Sequence, residues 1–105
     1  MQKIISLINL AAQQYGSAEY RQVANTVTDI LETSEYPEQV YKLLEKNKDG
    51  TMSRQEKKAY LKEKYPRLSE SAIDDIIDRE EAIQSTLYNS GDAGERIKKM
   101  MENYN

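Results

Sequence analysis

Residues 45–56 read EKNKDGTMSRQE. Oxygen-bearing side chains alternate through Glu45, Asn47 and Asp49, then Gly50 intervenes, and Thr51, Ser53 and Glu56 complete the run. Two physical readings fit these letters. Asn47, Lys48, Asp49 and Gly50 compose a tight turn, and Ser53 with Glu56 three residues on is a capping box that starts a helix. Alternating oxygens, a glycine and a closing glutamate are also how a backbone wraps a hard cation. Both readings demand a helix on each side, so this stretch decides the fold.

Working outward, Val40, Tyr41, Leu43 and Leu44 give the preceding segment an apolar helical stripe, and Pro37 suits its first turn. The following segment predicts a helix from about Arg54 to Lys64, with Ala59, Tyr60 and Leu61 inward and Pro66 just beyond. Towards the N-terminus, Ile4, Leu7, Ile8, Ala11 and Tyr15 share one helical face, and Gly16 reads as its C-terminal stop. Ser17 caps a second helix with Tyr20, Val23, Val27, Ile30 and Leu31 as its stripe. Towards the C-terminus, Ser69 opens a longer helix bearing Ile73, Ile76, Ile77, Ile83 and Leu87. Ser90 and Gly91 break the chain, and Asp92 with Glu95 fits a capping box for a last helix bearing Ile97, Met100, Met101 and Tyr104. No strand pattern competes. The expectation is an all-α fold, a small bundle of about six short helices forming one domain over residues 1–105.

Composition narrows the chemistry. The chain has 105 residues, no Cys and no His, which excludes zinc fingers, iron–sulfur sites, thiol catalysis and Ser/His machinery. Any metal would be a hard ion held by oxygens. The net charge is −3, but residues 42–67 are basic between acidic flanks. Arg54, Lys57, Lys58, Lys62, Lys64 and Arg67 fall on the fourth helix and its exit, and Asp74, Asp75, Asp78, Glu80 and Glu81 on the fifth. This pattern predicts two solvated faces paired across the turn at Pro66 more than a nucleic-acid surface. The eight Tyr residues are the only aromatics and predict a core edge with hydroxyls reaching water. Carboxylates such as Asp74 and Asp78 sit on an ordinary polar face, so no catalytic constellation emerges and the chain is expected not to be an enzyme. No signal peptide is visible, and no apolar run nears the roughly 20 residues of a membrane span. An intracellular, cytoplasmic setting is the expectation.

Residues 40–61 resemble one EF-hand, the helix–loop–helix calcium motif. In that family a twelve-residue loop offers oxygens from its first, third, fifth, seventh, ninth and twelfth positions and needs glycine at the sixth. Placing Gly50 at the sixth makes Glu45, Asn47, Asp49, Thr51, Ser53 and Glu56 the implied metal ligands, with Thr51 using its carbonyl and Glu56 closing the site. Met52 falls at the eighth position, where the family carries an apolar residue. The resemblance spans an EF-hand-like unit at residues 37–64 and implies Ca²⁺ as the cofactor. Two departures predict weak affinity. Glu45 stands where the family has Asp, and Lys46, Lys48 and Arg54 neutralise Glu45, Asp49 and Glu56. EF-hands usually pair, and two segments offer degenerate partners, Ala11–Gln22 around Gly16 or Thr86–Ile97 around Gly91.

Two functions follow as expectations. One is a calcium-binding or calcium-stabilised protein-interaction module, in which the ion draws Glu56 towards Asn47 and Asp49 and exposes Val40, Leu44, Tyr60 and Leu61. The other is a metal-independent helical adaptor, inhibitor or structural subunit. Both take another protein as partner through a helix face, and neither takes a membrane or nucleic acid.

Overall fold

The computed structural model describes residues 1–15 and 17–103. Six helices run α1 (Gln2–Tyr15), α2 (Ala18–Glu32), α3 (Pro37–Lys46), α4 (Arg54–Lys64), α5 (Glu70–Asn89) and α6 (Gly91–Asn103). Among the described residues there is no strand. The expected all-α bundle is therefore present, and α4 has the predicted bounds. Gly16 and Tyr104, with the side chain of Tyr15, lie outside the described residues.

The starts of the helices follow local chemistry. Ser17 Oγ accepts from Tyr20 N at 3.1 Å and Ser69 Oγ from Ala72 N at 3.1 Å, each relieving an orphan amide of a first turn. Pro37 opens α3 with its fixed φ. The last helix departs from expectation. Asp92 does not cap it, because α6 already begins at Gly91, whose φ is 56°. Asp92 instead sits in the first turn and pairs with Arg96 at 3.6 Å.

The long α5 is the organising element. It packs on α2, α3, α4 and α6, whereas α4 packs chiefly on α5 and α1 chiefly on α2. Ile73, Ile76, Ile77, Ile83 and Leu87 of α5 meet Val40, Leu43 and Leu44 of α3, Val27 and Leu31 of α2, and Leu61 of α4 in one buried core. Two predicted inward residues lie elsewhere. Leu7 is exposed while Ile5 and Ala12 are buried, since the buried arc of α1 is narrow and faces mainly α2. Ala59 is exposed because α4 buries only the line of Lys57 and Leu61.

Tyrosine placement also divides. Tyr20 and Tyr41 are buried, and the Tyr41 hydroxyl donates to the Met101 carbonyl at 2.8 Å, tying α3 to α6. Tyr36, Tyr60 and Tyr65 are half-buried at the core edge, and Tyr88 is exposed. No helix among the described residues is long and apolar enough to cross a membrane.

Candidate functional site

The chain reverses at Gly50, whose φ is +70°, a conformation in which a Cβ would be strained. Gly50 N donates to the Asn47 carbonyl at 2.9 Å, and Asn47 N donates to the Leu43 carbonyl at 2.8 Å as α3 ends. At the far side of the loop the capping box is complete. Ser53 Oγ accepts from Glu56 N at 3.1 Å and Glu56 Oε1 accepts from Ser53 N at 2.9 Å. Those two bonds, the backbone one first, hold the Glu56 carboxyl below the ordinary carboxylate value.

Asn47 is the pivot. Its side chain is 4% exposed, and both of its ends are engaged. Oδ1 accepts from Met52 N at 2.9 Å, which closes the loop on itself, and Nδ2 donates to Glu80 Oε2 at 2.9 Å. Glu80 is fully buried on α5, and its other oxygen accepts from Lys57 Nζ at 2.7 Å. Gln84, one turn further along α5, donates to the Asn47 carbonyl at 2.9 Å and to Glu80 Oε2 at 3.4 Å. Both charges of this buried pair are thus neutralised and hydrogen-bonded, the condition under which such a pair is tolerated in a core. The chain of bonds joins the end of α3, the loop, α4 and the middle of α5.

A solvent-facing layer lies over it. The Arg54 guanidinium meets Asp78 at 3.1 Å, Glu81 at 3.2 Å and Asp74 at 3.7 Å, and its pKa is raised chiefly by the Asp78 bond. Lys58 reaches Asp74 at 3.4 Å and Lys62 reaches Glu70 at 2.7 Å. The basic α4 and acidic α5 are paired antiparallel, as the charge pattern implied, but Lys57 and Glu80 are core residues rather than members of a solvated face.

The six ligand candidates occupy different situations. Asn47 is turned to Met52 and Glu80, and Ser53 and Glu56 bond each other across the first turn of α4. Glu45 lies 3.5 Å from Lys42 one turn back on α3, and Asp49 and Thr51 are exposed in the turn. Among the described residues no three Asp, Glu, His or Cys side chains are grouped so as to hold a metal ion. As folded, Asn47 Oδ1, Ser53 Oγ and Glu56 Oε1 each accept a hydrogen bond from a backbone amide. The described residues of the two candidate partner segments lie mostly in helices. Ala11–Tyr15 belongs to α1 and Ala18–Gln22 to α2, while Thr86–Asn89 closes α5 and Gly91 opens α6.

Residue spacing alone did not lead to Lys57, Glu80, Gln84 or Arg79. A signal existed for two. Glu80 lies seven residues from both Ile73 and Leu87, on the apolar stripe itself, and Lys57 lies four before Leu61. A charge on the buried line of two adjacent helices, of opposite sign, is the signature of an internal pair. Arg79 donates to the Ile30 carbonyl at 2.9 Å and to Thr33 Oγ1 at 2.8 Å, closing the C-terminal end of α2 from α5.

One concave surface lies beside the loop. A cavity of about 200 Å³ opens between α3, α5 and α6, floored by Leu44, Leu87 and Met101 and rimmed by Lys48, Lys98 and Glu102. Comparison with protein-family models, with curated proteins and with solved structures finds no match.

Proposed function

We propose that this chain is a non-catalytic helical protein-interaction module whose EF-hand-like unit works without a metal ion. The observation that carries this reading is the Lys57–Glu80–Asn47 chain. In it a tethered ammonium supplies the positive charge that binds helix to helix, and Asn47 is already committed. The partner docks through a helix face, with the apolar floor of the α3–α5–α6 cavity and its mixed Lys/Glu rim as the proposed surface. A chain without cysteine suits a reducing, intracellular setting.

A second reading keeps one favourable observation. The positive φ of Gly50 is what a calcium loop requires at its sixth position. Under that reading Asn47 and Glu56 would leave their present partners, and Glu56 would close over a weakly bound Ca²⁺.

Calorimetric titration of chelator-treated protein with Ca²⁺, with Mg²⁺ as control, separates the two. The metal-independent reading expects no saturable heat and an unchanged unfolding temperature at millimolar Ca²⁺. A saturable site abolished in Glu56→Gln would establish the calcium reading instead. Partner capture should be indifferent to chelator and should fall in Lys48→Glu/Lys98→Glu; capture that needs Ca²⁺ would overturn the proposal.

A further inference from the structure

Helix α4 and its exit carry six cations, and the fold uses them unequally. Arg54, Lys57, Lys58 and Lys62 are all engaged by carboxylates of α5. Lys64 and Arg67 have no acidic partner within ion-pair distance among the described residues, nor has Lys46 at the end of α3. Lys46 lies at the loop end of α3, and of the six cations of α4 and its exit Lys64 and Arg67 are left over together, at the C-terminal end of α4.

That end is also where the half-buried tyrosines lie. The ammonium groups of Lys46 and Lys64 stand 6.0 Å and 5.6 Å from the centroid of the Tyr60 ring. Beside them a cleft of about 530 Å³ is lined by Tyr36, Gln39, Lys64, Tyr65, Arg67 and Ser69. This volume falls within the roughly 300–1,000 Å³ of small-ligand sites. Ser69 is the N-cap of α5, so the cleft also meets the positive end of the longest helix. Glu38 is a carboxylate close enough to act on the Tyr65 hydroxyl, and there Lys64 and Lys42 act in the opposite sense. Glu45 acts on Lys64 in turn, but the charged side chains that line the cleft among the described residues are Lys64 and Arg67.

We propose that this cleft binds a nucleoside phosphate. Lys64 and Arg67 take the phosphate, the flat faces of Tyr36 and Tyr65 flank the base, and Gln39 and Ser69 offer hydrogen bonds to base or sugar. Cations alone would suit any small anion; aromatic faces interleaved with them select an anion that carries a ring. The acidic remainder of the surface disfavours a long strand running beyond the cleft.

The test is titration of ¹⁵N-labelled protein with AMP, adenosine and inorganic phosphate, followed by amide shifts. AMP should produce saturable shifts at Tyr36, Tyr65 and Arg67, with adenosine or phosphate alone weaker by roughly tenfold or more. The exposed double substitution Lys64→Glu/Arg67→Glu should abolish the response, whereas Lys48→Glu/Lys98→Glu, on the other cavity, should retain it. An oligoadenylate probe identifies the source. Equal affinity per nucleotide means a free nucleotide, and tighter, salt-sensitive binding means the end of a strand, both keeping the proposed chemistry. No saturable shift at millimolar AMP, unchanged shifts in Lys64→Glu/Arg67→Glu, or phosphate binding as tightly as AMP would each overturn the proposal. These readouts are independent of Ca²⁺ and of protein capture, so this proposal and the interaction reading fail separately.

Discussion

Replacing Lys57 with Met while leaving Glu80 in place strands a carboxylate that is fully buried. Breaking a buried pair from one side costs about 3–5 kcal/mol, because the remaining charge keeps its desolvation penalty and loses its partner. Lys57→Met should therefore lower the urea midpoint by a large fraction of the total stability, at an unchanged slope. The double change Lys57→Met/Glu80→Met should recover much of that loss, since two apolar side chains of similar length fill the same space. Recovery will be incomplete, because the Asn47 amide and Gln84 each lose an acceptor. Arg54→Ala, which removes a partly exposed hub over the same helix pair, should cost far less. Equal effects of Arg54→Ala and Lys57→Met would mean that the buried pair has no special role.

At the scale of the element, the start of α4 is set by Ser53 and Glu56. The folded-state pKa of Glu56 lies below its ordinary value of 4.5. A depressed carboxylate pKa contributes stability that is present above the unfolded value and lost as pH falls through the folded one. The unfolding temperature of the wild type should therefore carry an acid-side decline below about pH 4.5 that Glu56→Gln lacks, measurable as the difference between two pH series. Ser53→Ala removes the other half of the box and should cost about 1 kcal/mol, typical of a lost N-cap. If the two pH series run parallel, the box does not supply this stability.

At the scale of the molecule, α5 and α6 form a hairpin whose closeness depends on one residue. A Cβ at Gly94 would collide with the Leu87 carbonyl oxygen and lie 2.8 Å from its carbonyl carbon. Backbone cannot swing aside as a long side chain can, so Gly94→Ala must push the helices apart at a cost of at least about 1–3 kcal/mol. The same displacement would stretch the Tyr41–Met101 bond that joins α3 to α6. Gly94→Ala should thus lower thermal stability and open the α3–α5–α6 cavity together, the second seen as faster amide exchange in α6. A variant of wild-type stability would show that the hairpin relaxes freely.

Six helices, four of their starts and most of the core stripe were legible from local pattern. Capping serines, Pro37, Gly50 and 3.6-residue spacing act within a few residues of themselves, so the chain alone determines them. The turn and cap inside EKNKDGTMSRQE are local in the same sense. The partners of those loop residues are not. Whether the Asn47 carboxamide faces an ion or Glu80 depends on a helix that begins more than twenty residues later. Burial of Lys57 and Glu80, the closure of α2 by Arg79, the need for Gly94 and the surplus of charge at Lys64 and Arg67 belong to the tertiary structure for one reason. Each is a balance between groups distant in sequence, and only packing decides which charges meet, which face water and which are left over.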